Sequence, residues 1–258
     1  MATNIHPTAV VESDAELGNG VSVGPHSFIE SGAIIGDNTQ IASSVWISGY
    51  ARIGKDNKIL HGAAIGGPPQ DLKFDGEETT LEVGDRNVIR EYVTMNRGTH
   101  ASGKTVVGSD SLFMAYVHVA HDCRVGDHVV LANSTNMAGH VEIEDWVIIG
   151  GIVPIHQFCR IGAHAIVGAG ARIVQDVPPY ALLGGDPTRV AGINIIGLQR
   201  RGFPEKTIAT LKEAYKLIYR SKLNNTQAIE AIREKLPISP EIENLIQFIK
   251  TSERGIVK

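Results

Sequence analysis

Aliphatic residues recur every six positions through the first quarter of this chain, at Ile5, Val11, Leu17, Val23, Ile29, Ile35, Ile41, Ile47, Ile53, Ile59 and Ile65. Four residues after most of them stands something small or slender, among them Ala9, Ala15, Val21, Ser27, Ala33, Thr39, Val45, Ala51 and Ala63. The phase returns at Val83, Ile89 and Met95 and breaks again. It then runs through Val107, Phe113, Val119, Val125, Leu131, Met137, Ile143, Ile149, Ile155, Ile161, Val167 and Ile173. A unit of six is too short for a helical hairpin or a propeller blade. Its branched residues favour extended backbone, and the Gly, Asn and Asp between them favour turns. Three such strands close a coil of about 18 residues, so that each inward aliphatic residue stacks on the one a coil away, with coils roughly 4.8 Å apart. The expected fold is an all-β parallel β-helix over residues 1–191. The period does not set the hand of the coil.

Composition agrees with thin repetitive layers: 43% of residues are apolar but only 5% aromatic. A formal charge of -4 gives no bulk attraction to nucleic acid or an anionic membrane. The start Met1-Ala-Thr-Asn-Ile-His-Pro lacks a basic segment followed by an apolar run, and no stretch approaches a membrane span, so the expectation is a cytoplasmic protein without signal peptide or integral membrane segment. Cys123 and Cys159 are too few for a disulfide framework and lack the spacing of a CxxC metal site. They fall in one column two coils apart, beyond disulfide reach, and belong to the core.

From Gly192 onward the six-residue period gives way to a helical one in Ile208, Leu211, Ala214, Tyr215 and Ile218. A second stripe, Ile229, Ile232 and Leu236, follows the polar start Asn224-Asn225-Thr226. A third, Ile242, Leu245, Ile246 and Ile249, follows Ser239-Pro240, read as N-cap and first helical residue. A C-terminal α-helical domain is therefore expected over 192–258, with the boundary near residues 180–192, where Pro178-Pro179 and Gly184-Gly185 punctuate the chain.

The two breaks in the repeat read as loops thrown out of the coil, near 67–80 and 97–104, and loops on a rigid scaffold are where function concentrates. The first carries Asp71 and Lys73, a carboxylate and an ammonium two residues apart; on spacing alone an ordinary solvated loop accounts for them as well. The second is small and polar. Four of the ten histidines, His118, His121, His140 and His156, cluster in the later coils. Stepping by one coil carries His121 to Gly139 and then Gln157, and Asp122 to His140, so these five should form one patch spanning roughly 10 Å along the axis. Such a patch suits acyl transfer. An imidazole accepts a hydroxyl proton, and a glycine one coil away lets a backbone N–H approach a developing oxyanion. His26, His61, His100, His128 and His164 read as surface or structural residues. Ligand spacing alone leaves open a zinc site of the hexapeptide-fold carbonic anhydrase type, and a purely structural solenoid would leave loops and histidines unexplained.

Outside the repeat, the chain carries QDLKF at 70–74, GDRNVIRE at 84–91, HVAHDC at 118–123, LAN at 131–133, AGHV at 138–141, IHQFC at 155–159, QDVPPY at 175–180, RRGF at 200–203 and YKLIYRS at 215–221. In these segments, and over essentially its whole length, it resembles the UDP-N-acetylglucosamine acyltransferase family of hexapeptide-repeat enzymes. The resemblance implies a left-handed β-helix and transfer of a 3-hydroxyacyl chain from acyl carrier protein to the sugar 3-position, the first step of lipid A synthesis. It makes His121 the general base, Asp122 its supporting partner and Gly139 N–H the oxyanion donor. Gln70, Asp71, Lys73, His118, His140, His156 and Gln157 match residues lining the sugar-nucleotide and acyl sites. Asn194, Arg200 and Arg201 match positions near the nucleotide or donor; paired arginines suit a diphosphate or an acidic carrier. The implied assembly is a homotrimer with sites between adjacent β-helices, placing the first loop against a neighbour's histidine patch. No cofactor or metal is implied, since the donor's phosphopantetheine arm arrives with the carrier protein.

Two departures stand out. Ile196 occupies a position where family members often carry glutamate, removing a polar contact to the nucleotide. Gly168-Ala169 lies where the family limits acyl length, and the alanine methyl predicts a chain shorter than fourteen carbons. An acceptor with an amine at the sugar 3-position, giving an amide, is not distinguished by these residues.

Overall fold

The computed structural model describes residues 3–258; Met1 and Ala2, where the segment read for a leader begins, lie outside them. Strands of mostly two residues follow one another every six positions and pair in parallel with the strand one coil away, as in Asn4↔Ser22, Val10↔Phe28 and Glu16↔Ile34. Three flat walls result. Two hold eight strands each, and the third, which starts at Asn4–Ile5, is extended at its far end to eleven.

The inward residue of each strand forms a ladder. One runs Val23, Ile41, Ile59, Ile89, Phe113, Leu131, Ile149 and Val167, all buried. Between walls the chain turns at a corner whose third residue after the inward aliphatic adopts left-handed backbone, as at Asn38 (φ 58°), Asp122 (φ 60°), His140 (φ 60°) and Phe158 (φ 63°). Asn, Asp and glycine tolerate that region best, yet many of these corners hold other residues, such as His128, Trp146 and His164. Cys123 and Cys159 are buried in the core, where burial pushes their thiols up to about 12 and about 11.

The insertions leave the register intact on either side. Ala64 pairs with Thr94 and Thr94 with His118, so residues 68–79 and 97–103 loop out between paired strands.

The segment read as a boundary forms an antiparallel hairpin, Ala181–Gly184 with Arg189–Ile193, that adds two strands to the longest wall. Gly184 ends the first strand and Gly185 opens the turn at 185–188, so the pair is no hinge, and Leu183 and Ala181 are buried against the last coil. Four helices follow: α1 (Ile195–Arg200), α2 (Glu205–Tyr219), α3 (Asn225–Lys235) and α4 (Pro240–Lys250). Asn224 and Gln227 form a capping box on α3, and Ser239 caps α4 ahead of Pro240. The short α1, without a periodic stripe of its own, was not visible in the sequence. The tail returns to the β-helix, where Val257 N–H donates to the Asp176 carbonyl and Tyr215 hydroxyl to that of Pro179.

Candidate active site

Residues 120–122, 138–140 and 156–158 occupy the same corner on three successive coils. The His140 amide donates to the His121 carbonyl and the Phe158 amide to the Gly139 carbonyl, fixing the stack. His121 Nδ1 lies 2.8 Å from Asp122 Oδ2. Asp122 is buried, and its two oxygens also accept the Thr99 amide (3.0 Å), the Thr99 hydroxyl (2.7 Å) and the Ser102 hydroxyl. Burial on its own would raise this carboxyl, but the hydrogen bonds from Ser102, His121 and Thr99 outweigh it and hold the group down at about 2. An ionised carboxylate can only accept, so Nδ1 carries a proton, and in the neutral imidazole the lone pair is on Nε2.

Gly139 lies beneath that ring. A Cβ there would collide with His121 Cε1 and Nε2, so only glycine lets the imidazole occupy this position. At a different corner of the coil the amide at the equivalent position is bonded by a carboxylate of a nearby coil, as Asn19 is by Asp37, Lys55 by Asp85, Asp127 by Asp145 and Ala163 by Glu144; in the Gly139 column, among the described residues, the His121 and Gln157 amides have no such partner. Among the described residues no protein acceptor takes the Gly139 N–H.

The ring of His140 stands edge-on to His121 at 5.2 Å and stacks on Phe158 at 4.6 Å. His118 Nδ1 meets the Thr94 hydroxyl at 2.7 Å. Burial first, and then the neighbouring His121, push the His118 imidazole below its ordinary value. These side chains border an open groove of about 770 Å³ that also takes in Gln157, Asn136 and, from the first loop, Gln70, Asp71 and Lys73. The loop is held in a turn by the Lys73 amide donating to Asp71 Oδ1 at 3.0 Å. It borders the histidine patch of its own chain rather than only a neighbour's, because the strand feeding it, Ala64–Gly67, belongs to the same wall as His118–Val119, Asn136–Met137 and Pro154–Ile155.

Ligand atoms of His121, Asp122 and His140 lie within 4.8 Å of one another. Both Asp122 oxygens, however, already accept hydrogen bonds from protein donors, and a cation bound there would have to displace them. Asp122, as it is bonded here, does not fit as a zinc ligand.

Residues 14–49 and 104–139 match the model described as bacterial transferase hexapeptide (six repeats), and residues 176–257 match that of UDP N-acetylglucosamine O-acyltransferase, domain 2. The acyl-[acyl-carrier-protein]--UDP-N-acetylglucosamine O-acyltransferase of Alkalilimnicola ehrlichii is 55% identical over 99% of this chain and 100% of its own length. The chain belongs to the UDP-N-acetylglucosamine O-acyltransferase family. The protein of the same name from Janthinobacterium sp. (strain Marseille) is 52% identical over 98% of this chain and 99% of its own. The LpxA structure from Acinetobacter baumannii superimposes with a TM-score of 0.95 at 44% identity, covering 98% of this chain and 99% of that one. With family membership comes the hand: the solenoid is a left-handed parallel β-helix, and the protein is an O-acyltransferase.

The remaining family-matched positions do not border this groove. His156 is exposed just beyond it, with Nδ1 3.1 Å from the Gln157 carbonyl. Asn194 is buried as the N-cap of α1, accepting the Gly197 amide and donating to the His164 carbonyl. Arg201 donates to the Trp146 carbonyl at 3.0 Å, and burial lowers its pKa; Arg200 is exposed. Gly168 and Ala169 form a corner at the opposite edge of the groove-bearing wall. Of the histidines read as structural, His128 stacks on Trp146 at 3.9 Å, while His164 is pushed down to about 4, by burial first and then by Arg201. The reading missed Asn136 and Phe158, which lie one coil beyond His118 and His140. It also missed Thr99 and Ser102, which sit in an insertion that the coil arithmetic does not reach.

Proposed function

We propose that this enzyme transfers a 3-hydroxyacyl chain from acyl carrier protein to the 3-hydroxyl of UDP-N-acetylglucosamine, in the cytoplasm, as the opening step of lipid A synthesis. The observation that carries the mechanism is the His121–Asp122 contact, which leaves Nε2 free to accept a proton. The sugar oxygen attacks the thioester carbonyl carbon while its proton passes to His121 Nε2. The tetrahedral oxyanion is met by the unengaged Gly139 N–H. On collapse the C–S bond breaks, and the departing thiolate of the phosphopantetheine arm takes the proton back from the imidazolium. The thioester supplies the activation, so the reaction needs no metal or further cofactor.

His118, His140, Gln157, Gln70, Asp71 and Lys73 are the groove residues to hold the sugar nucleotide and acyl chain. Asn194, Arg200 and Arg201 do not border that groove in their own chain, which favours a homotrimer in which the same region of a neighbouring chain completes the nucleotide or donor site. His156 lies on the rim and Gly168-Ala169 at the far edge of the wall, a placement that suits contact with the distal acyl chain.

Acyl transfer from 3-hydroxyacyl carrier proteins to UDP-N-acetylglucosamine in metal-free buffer, wild type beside His121→Ala, tests this reading. The expected result is turnover in the wild type and a loss of about 10²-fold or more in the variant. An active His121→Ala protein overturns the mechanism, and an inactive wild type overturns the substrate assignment, with the 3-amino sugar nucleotide the next acceptor to try.

A further inference from the structure

A coil closes perfectly well without the second loop: at other rungs a short corner joins one wall to the next, and residues 97–103 add chain that the β-helix does not need. Yet this loop supplies three of the four hydrogen bonds on Asp122, through the Thr99 amide, the Thr99 hydroxyl and the Ser102 hydroxyl; the fourth comes from His121. Thr99 and Asp122 are both buried, so the two Thr99 bonds are shielded from water, where hydrogen bonds to a charged group are strongest, while Ser102 approaches from the exposed side.

The other end of the loop is equally fixed. Arg97 is buried with its guanidinium 3.7 Å above the Tyr50 ring and 5.1 Å from that of Phe74 in the first loop. Asn96 donates to the Pro68 carbonyl at 2.8 Å, and the His100 amide to Glu77 at 3.0 Å. The second loop thus bridges the loop that carries Gln70, Asp71 and Lys73 to the carboxylate that orients His121.

The geometry points to Thr99 and Ser102 as positioning residues that fix the Asp122 carboxylate and, through it, the tautomer and ring direction of His121. This rests on the reading of His121 as the base. Without the two hydroxyls, the Asp122 carboxylate keeps the Thr99 amide and His121 as hydrogen-bond partners and can turn about χ2 toward His140 Nε2, 3.7 Å from its Oδ2. The imidazole then loses a fixed acceptor at Nδ1, and the fraction with a lone pair on Nε2 falls. Ground-state binding of the sugar nucleotide does not depend on that proton, so the loss belongs in kcat.

Acyl-transfer kinetics of full-length Thr99→Val, Thr99→Ser and Ser102→Ala, with His121→Ala as reference, test this. The ring-nitrogen resonances of ¹⁵N-histidine-labelled protein are read alongside. Thr99→Val is expected to lose about 10-fold in kcat, as for removal of one charge-assisted hydrogen bond, with KM for the nucleotide nearly unchanged. Thr99→Ser, which keeps the hydroxyl, should restore most of the loss. The His121 nitrogens should move from a single Nδ1–H tautomer in the wild type to a mixture in Thr99→Val and Ser102→Ala. A Thr99→Val enzyme with wild-type kcat, a loss shared equally by Thr99→Ser, or unchanged His121 nitrogens in Ser102→Ala would overturn the assignment; the last reading serves even if Thr99→Val fails to fold. Should His121→Ala stay active, the base reading fails instead, whatever the nitrogens show.

Discussion

Asp122 holds His121 Nδ1 at 2.8 Å from a backbone that is itself in the left-handed region, at φ 60°. The carboxylate is buried and kept ionised down to about pH 2 against its own desolvation. Asp122→Asn keeps the shape but exchanges one acceptor oxygen for a donor and removes the charge that fixes the tautomer. The expected outcome is a fall in kcat of about 10²-fold with the fold intact, measured in the carrier-protein assay.

The same depressed carboxyl has a consequence for acid stability. A folded-state pKa of about 2 lies below the ordinary aspartate value, so the stabilisation is complete above about pH 4 and is lost as pH falls through about 2. Denaturant titrations of wild type and Asp122→Asn should therefore differ most above pH 4, by something on the order of 2 kcal/mol, and converge at lower pH. A gap that widens on acidification would contradict this.

Gly139→Ala is expected to spare the fold and impair the chemistry. Its φ is not in the left-handed region, so alanine meets no backbone strain there, but the new methyl collides with the His121 imidazole. Displacing the ring from its position costs about 10²-fold in kcat, with a thermal midpoint close to that of the wild type. If turnover survives, the ring does not need its present place.

Ile196 is 63% exposed on α1. Replacing it with glutamate should therefore leave stability within about 0.5 kcal/mol. Under the trimer proposal, and with the polar contact expected at this position from the resemblance, it should also lower KM for the sugar nucleotide several-fold. Steady-state kinetics in the nucleotide concentration distinguish this from an effect on kcat.

Ala169 carries a methyl at the corner assigned to chain-length selection. Donor competition should show the wild type favouring a chain shorter than fourteen carbons and Ala169→Gly shifting toward longer donors. A wild type that prefers the 14-carbon donor overturns the assignment.

The solenoid could be read from the sequence because one period controls both local conformation and long-range contact: knowing that Ile41 points inward tells where Ile59 goes. The same arithmetic placed Gly139 and His140 beside His121 and Asp122. It failed where the period is interrupted. Thr99 and Ser102 reach Asp122 through a loop whose path depends on Arg97 wedged between two aromatic rings and on amides caught by Glu77 and Gly67, none of which is periodic. The hairpin at 181–193 was missed for a different reason: its glycines mark a turn and a domain border equally well in sequence, and only burial of Leu183 separates the two.

Asp122, His140 and Phe158 share a left-handed corner with a second column, Asp110, His128, Trp146, His164 and Tyr180, that follows the same backbone pattern. At one column Asp122 pairs with the adjacent His121 below a His140–Phe158 stack; at the other the side chains from His128 to Tyr180 form a longer stack of rings. The corner thus behaves as a standard fitting. Whatever side chain is mounted on it stands outside the aliphatic interior, at a set height and in register with the fittings above and below. A scaffold of this kind can acquire or lose a chemistry by exchanging a few corner residues while its aliphatic ladders stay as they are.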